Sequence, residues 1–449
     1  MLRGLIGESL RLWGIHGEVE SDGAATTIRS EQAFVRIEPA DGGLPFRWLV
    51  RWRLPHESAP GARERHPRAC ASVGGVLTAL RSAFGIEGGA PVRVASASPI
   101  PVAQAPRLQA EPAFSAGEGA CATPIVVLTG FLGSGKTTLL SRLLRDPAMA
   151  RTAVIINEFG EIGLDHELVE ASDESFVELS NGCLCCKVRS DLVMTLRDLA
   201  RRRVEGTLHF ERVVIETTGL ADPAPILHAL QTDHGVAERY SVEGVIATVD
   251  AITGADTLKT HAESARQAAV ADCVIVTKTD AVADADVRAV TEAVSMLNPG
   301  AAIRHAANGE VDAATLLHGL GKSAHAAPPE PRCLPRHLHD IESVAIVRTK
   351  PLHAATLPLY LAALAENLGA DLLRVKGIVG IAEAPATPAV IHGVQHVYHA
   401  PSWLDRWPSG DRRTRIVLIG RKVDRAYAQA LLEAIDCEVA ESAVGSPVA

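Results

Sequence analysis

The chain contains no apolar run that approaches the roughly 18 residues a membrane-spanning helix requires. Its opening residues, MLRGLIGESLRLWGIHG, carry a single early Arg and no continuous apolar core of signal-peptide length, so a cytoplasmic location is expected. Positive charge is not in excess. A formal net charge of -9 and a pI near 6.0 remove the electrostatic reason for a nucleic-acid or membrane-surface partner and leave a small molecule or a protein. Cysteine is scarce as well. Eight cysteines in 449 residues are too few for a disulfide framework at this size, and cytosolic thiols stay reduced. Any tight cysteine cluster therefore points to metal or catalysis before crosslinking.

What is present is the composition of a soluble globular chain, 47% hydrophobic and 22% charged, long enough for two or three domains. In FRWLVRWRL, Phe46, Trp48, Val50, Trp52 and Leu54 alternate with Arg47, Arg51 and Arg53, the pattern of a half-buried strand, and SVGGVLTALRSAFG then has a helical pattern. Residues 1–85 are read as an N-terminal α+β extension with a small core of its own and a solvated arginine face. Residues 86–121 are Ala- and Pro-rich, as a linker is. From 122 to 325, IVVLT, TAVIIN, RVVIE, GVIATV and CVIVT are short, apolar and mostly β-branched; alternating with helical patterns, they predict a mostly parallel sheet covered on both faces. A third unit, 336–440, reads as a smaller α+β domain.

TGFLGSGKTTLL places G-x-x-x-x-G-K-T at Gly130, Gly135, Lys136 and Thr137, directly after the strand IVVLT and directly before a helix. Glycines let backbone N–H groups wrap phosphates, the helix start adds positive potential, Lys136 reaches the β/γ-phosphates and Thr137 supplies an oxygen to Mg²⁺. RVVIETTG ends a strand in Glu216, an acid that can contact Mg²⁺ directly or through water, with Gly219 able to approach the γ-phosphate. CVIVTKTD ends another strand in Thr277, Lys278 and Asp280. Asp280 is suited to accept from guanine N1 and N2, donors that adenine lacks, while Lys278 lays its stem along the base. Thr277 stands where Asn is commoner.

ELSNGCLCCKVRSDL holds Cys183, Cys185 and Cys186 after an S-N-G turn signal. Three thiolates suit Zn²⁺, Co²⁺ or Cu⁺ with an open fourth position, as a donor site needs. Redox switching and inert buried thiols are the two alternatives. Lys187 and Arg189 favour thiolates under either of the first two readings.

In order, GFLGSGKTTLL, NEFGEIGLDHELV, ELSNGCLCC, ETTGLADP and TKTD resemble the CobW-type metallochaperone GTPases. The later DLLRVKGIVGIA, GVQHVYH and WPSGDRRTRIVLIGR resemble that family's C-terminal domain, so the likeness runs from about 123 to 436. The resemblance implies a SIMIBI-class P-loop GTPase that binds GTP and Mg²⁺, holds zinc or cobalt at the C-x-C-C cysteines, and hydrolyses GTP to deliver metal to a client metalloprotein. It assigns Gly133, Ser134, Gly135, Lys136, Thr137 and Thr138 to phosphates, Cys183, Cys185 and Cys186 to metal, and Glu216 to the strand-tip role. NEFGEIGLDH corresponds to a switch-like loop, with Glu158 and Glu161 as candidates for organising water or metal and His166 as an extra ligand. The chain departs from the family at Thr277 and lacks a long His-rich tract; His325, Cys333, His337 and His339 could capture metal, and the reading preferred is a linker with ordinary histidines. Lys136, Glu216 and Glu158 are the expected catalytic residues. A metal-responsive regulatory module and cobalt handling for cobalamin synthesis are the alternatives, and a homodimer is left open.

Overall fold

The computed structural model describes residues 2–22, 25–40, 47–53, 68–86, 122–156, 176–178, 185–314, 316–317, 320, 339–395, 397–398 and 401–444. Three sheets follow one another along the chain. The first is antiparallel, in the order β1-β2-β3-β4-β5: β1 (Gly17–Asp22), β2 (Ala25–Ser30), β3 (Phe34–Pro39), β4 (Trp48–Arg53) and β5 (Arg68–Cys70). Helices α1 (Leu2–Leu12) and α2 (Val73–Ala83) accompany it, α2 capped by Ser72, whose side chain accepts from the Gly75 amide. The alternation in β4 has its expected effect, with Val50 fully buried beside Val35 and Ile37. Arg36 and Arg51 share Glu38, at 2.7 and 3.3 Å, and both arginine side chains stay partly exposed.

The second sheet has seven strands in the order β12-β11-β10-β6-β9-β7-β8, all parallel. They are β6 (Thr123–Gly130), β7 (Thr152–Ile156), β8 (Phe176–Glu178), β9 (Arg212–Glu216), β10 (Tyr240–Asp250), β11 (Cys273–Thr277) and β12 (Ala302–His305). The crossovers carry α3 (Lys136–Leu143), α4 (Cys185–Val204), α5 (Ala224–Thr232), α6 (His234–Ala237), α7 (Gly254–Thr260), α8 (Ala262–Val270) and α9 (Asp284–Leu297). Helices on both faces explain why these strands are near-continuous apolar runs. Because every pair is parallel, every strand delivers its carboxyl end to the same edge, where a doubly wound sheet binds its ligand.

The third sheet is antiparallel, in the order β13-β18-β14-β15-β16, with β17 also pairing β15: β13 (Ile341–Arg348), β14 (Leu372–Ile381), β15 (Ala384–Val394), β16 (Val397–Tyr398), β17 (Ser402–Trp403) and β18 (Thr414–Arg421). Helices α10 (Thr356–Leu368) and α11 (Arg425–Val444) belong to it. All ten residues of β14 are buried because both of its faces are covered. Leu373, Val417 and Ile419 join the core of the parallel-sheet domain; Leu372, Val375 and Val379 join a core that also holds Tyr360, Leu364, Tyr427 and Leu431 of α10 and α11.

That second core continues into the N-terminal unit. Leu5, Ile6, Leu10, Val76, Leu77 and Leu80 belong to the same cluster as α10 and α11, so residues 2–86 do not have the separate small core expected from the sequence. The interface is keyed by charge at its margin. Glu438 of α11 accepts from the Val73 amide and so caps α2, Thr78 Oγ1 donates to Glu366 Oε1 at 2.6 Å, and Arg47 pairs with Glu441. Among the described residues, no helix is long and apolar enough to cross a membrane.

Candidate nucleotide site

The carboxyl edge of the parallel sheet brings together residues that are far apart in the chain. β6 ends at Gly130, the loop runs through Gly133 (φ +70°) and Gly135 (φ +90°), and α3 begins at Lys136. Gly130 is required sterically. Its φ is +148°, and a Cβ there would lie 2.1 Å from Thr248 Oγ1 on β10. The Lys136 ammonium, on a side chain only 7% exposed, folds over the loop and donates to the carbonyls of Gly130 at 2.9 Å and Phe131 at 3.1 Å. The loop thus holds the Lys136 ammonium against its own backbone at the start of α3.

Hydroxyl bonds tie the tips of β9, β10 and β11 to β6 and its loop. Ser134 Oγ and Thr248 Oγ1 share a hydrogen bond of 2.6 Å, and Thr217 Oγ1 after β9 donates to Thr129 Oγ1 at 2.8 Å. Thr277, at the tip of β11, donates to the Ser134 carbonyl at 2.7 Å and is buried. Thr277, standing where Asn is commoner, therefore tethers the tip of β11 to the loop between β6 and α3. Each such bond is worth about 0.5–1.5 kcal/mol net, so together they fix the cradle before a ligand arrives.

Thr137 and Glu216 meet in the same place. Thr137 Oγ1 donates to Glu216 Oε1 at 3.0 Å, and Glu216 is 2% exposed at the tip of β9. A hydroxyl and a carboxylate at this spacing beside a phosphate loop are hard oxygen donors of the kind that Mg²⁺ takes. Gly219 is pressed onto the loop, since a Cβ there would come within 2.6 Å of Leu132 Cδ2 and 2.8 Å of its backbone nitrogen.

On the base side, Lys278 has φ +56°, and exposed Asp280 accepts from the Asn308 amide at 2.7 Å. The loop after β12 also reaches α3. A Cβ on Gly309 would meet Thr138 Cγ2 at 3.2 Å, and Arg142 Nη1 lies 3.1 Å from Glu310 Oε1. Asn308 and Thr248 were not anticipated. The A-N-G sequence after β12 is turn chemistry that would have flagged Asn308, whereas Thr248 sits inside an apolar run with no signal of its own.

Glu158, Glu161, His166 and Cys183 lie outside the described residues, as do His325, Cys333 and His337. Cys185 and Cys186 begin α4, after β8 and on the same sheet edge as the phosphate loop. β8 is three strands from β6, about 14 Å at the usual strand spacing. Among the described residues, no group of three His, Cys, Asp or Glu is arranged to hold a metal, and His339 stands apart from any such group. Of the other described cysteines, Cys437 is exposed whereas Cys70 and Cys273 are buried, and burial pushes the Cys273 thiol up to about 12, away from thiolate chemistry.

Residues 124–305 match the CobW/HypB/UreG nucleotide-binding domain family, and residues 341–436 match the cobalamin synthesis protein cobW C-terminal domain. The chain is 31% identical over 300 residues to the zinc chaperone YjiA of Escherichia coli, covering 66% of this chain and 93% of that protein. It is 33% identical over 343 residues to the zinc chaperone CobW of Pseudomonas aeruginosa, covering 68% and 88%. The crystal structure of Zn(II)-bound YjiA GTPase from E. coli superposes with a TM-score of 0.55 at 26% identity, over 70% of this chain and 99% of that one. The matched span, the order of its motifs and the seven-stranded sheet agree, and the chain belongs to the CobW family of P-loop GTPases, with a CobW C-terminal domain.

Proposed function

We propose that the chain is a GTP-dependent metallochaperone that holds zinc, or cobalt, at Cys183, Cys185 and Cys186 and passes it to a client metalloprotein. The observation that carries this reading is the cradle at the carboxyl edge of the sheet, where Lys136, Thr137 and Glu216 converge on the same side as the start of α4. In this reading Gly130, Gly133, Ser134, Gly135, Lys136, Thr137 and Thr138 bind the phosphates, and Gly219 sits at the γ-phosphate. Thr277 holds the base-side strand in place while Lys278 and Asp280 select guanine. Mg²⁺, when bound, neutralises phosphate charge; Thr137 and Glu216 are the side chains that would hold it. Glu158 is the further candidate for orienting the attacking water. Zinc is favoured as cargo because two relatives similar over this span are zinc chaperones.

In this reading β8, which precedes the cysteines, lies three strands from β6, which feeds the phosphate loop, and metal and nucleotide are coupled through the protein between them. Coupling of this kind is reciprocal: whatever factor GTP applies to metal affinity, metal applies to GTP affinity. Cys185 and Cys186 open a helix, where the helix field favours thiolate and hence metal. The test is Zn²⁺ affinity measured with GDP and with a non-hydrolysable GTP analogue. A difference of about 5-fold or more is expected, and equal affinities would sink the coupling. Replacing the three cysteines by Ser should abolish tight Zn²⁺ binding with GTP binding retained, while Lys136→Ala should do the converse.

A further inference from the structure

Helix α8 is gripped at two places by bonds that nucleotide binding alone does not require. Gln267, 1% exposed, donates from Nε2 to the carbonyl of Gly219 at 3.1 Å and to that of Ala221 at 3.0 Å. Its neighbour Arg266 places Nη1 3.6 Å from Asp222 Oδ2. Two consecutive side chains of α8 thus hold the segment that follows Glu216. The Oε1 atom of Gln267 is buried without a hydrogen-bond partner, an unfavourable state for an amide oxygen. Alanines fill the neighbouring buried positions 265, 268 and 269, so a glutamine here is explained by the two bonds it donates.

Less than one turn further on, the same helix is fastened to the third sheet. The Val270 carbonyl accepts from Arg374 Nη1 of β14, and the other guanidinium nitrogen of Arg374 pairs with Asp272. Asn298 Nδ2 gathers the carbonyls of Ala268, Ala269 and Ala271 at 2.9–3.0 Å. Only three residues, about 4.5 Å of helix rise, separate Gln267 from Val270. A helix this short moves as one body, so a displacement of Gly219 reaches the Arg374 contact through Gln267 with little loss.

We propose that Gln267 is a positioning residue for the nucleotide response: it locks residues 219–221 to α8, and through α8 and Arg374 the C-terminal domain sets how that segment distinguishes GTP from GDP. The proposal rests on the reading of Gly219 as the γ-phosphate neighbour. It assigns the C-terminal domain a part in hydrolysis, by a route that runs behind the nucleotide and away from the cysteines.

The experiment compares the full-length protein with Gln267→Met, which keeps side-chain length and removes both donors. With Mg²⁺ present, the variant should keep GDP affinity within about 3-fold while kcat for GTP falls about 10-fold with KM little changed, the pattern of a misplaced group and not of lost binding. A folded Gln267→Met protein with wild-type kcat and wild-type preference for GTP analogue over GDP overturns the proposal. Hydrogen exchange on the unaltered protein is an independent measure should the variant not fold. Exchanging GDP for the analogue should change protection in 216–222, in 268–272 and in 372–376 together, and a change confined to 130–138 and 216–222 overturns it. An unaltered protein that binds no GTP analogue brings down the nucleotide reading itself, an outcome distinct from the other two.

Discussion

The two joints that hold the molecule together differ in their polar content. Where the C-terminal sheet meets the GTPase domain, buried ions accompany the apolar contacts of Leu373, Val417 and Ile419: Arg374 pairs with Asp272, and Lys376 Nζ donates to the Gly300 carbonyl at 3.0 Å. Where the same domain meets the N-terminal unit, Leu5, Ile6, Leu77 and Leu80 are fully buried, the ion pairs of Arg11 with Asp424 and Arg47 with Glu441 are exposed, and the buried Arg81 donates to the Glu366 carbonyl. Apolar surface accepts many relative placements, whereas a buried ion pair is satisfied in one. On that ground the joint that faces the nucleotide domain is expected to be the more closely specified of the two.

The largest expected effect comes from breaking the polar joint. Asp272→Ala leaves the buried Arg374 guanidinium without its carboxylate and should cost about 3–5 kcal/mol in chemical denaturation. Replacing Asp272, Arg374 and Lys376 together by apolar residues of similar size should recover most of that loss. Full recovery together with an unchanged GTP response would show that the ions hold the joint shut without specifying it.

In the apolar joint, Leu77→Ala should cost about 3 kcal/mol, with urea as denaturant and the cavity left behind as the cause. The GTPase rate should not change. A loss of hydrolysis in this variant would mean that the outer joint also orders the nucleotide site, and the contrast between the two joints would fail.

The smallest expected effect is a pH slope. Burial, reinforced by Arg374 and opposed by Asp272, pulls the Lys376 ammonium down to about 8 from 10.5. Between those values the unfolded chain binds more protons than the folded one, so stability rises with pH across this window. Relative to Lys376→Met, the unaltered protein should gain about 1 kcal/mol between pH 7 and pH 9. No relative gain would place Lys376 in contact with water. Asp272 responds at the other end of the scale. Burial alone would raise its carboxyl, but Arg374, Lys376 and His392 outweigh burial and hold it below the usual range, so its contribution is lost only in acid.

The parallel sheet was legible because strands buried on both faces need continuous β-branched runs, as IVVLT and CVIVT are. The edge strands β8 and β12, three and four residues long, are too short to carry a period, and neither was expected. The phosphate loop was legible from glycine spacing, because the backbone itself makes that site. What spacing does not encode is partnership. Thr277 donates to a carbonyl 143 positions away, and Gln267 reaches 46 and 48 positions back to Ala221 and Gly219. The shared core of the N-terminal unit with α10 and α11 is invisible for the same reason: an amphipathic helix states that it has a buried face and not what covers it.

The N-terminal unit sits on α10 and α11 while remaining covalently joined to them through residues 87–121 and the GTPase domain. A covalent connection keeps the two in the same molecule at any protein concentration. Any protein that approaches α10 and α11 therefore competes with an occupant that dilution never removes. A newcomer must bind that face far more tightly than an ordinary transient partner, or else bind the outer surface of the occupant instead.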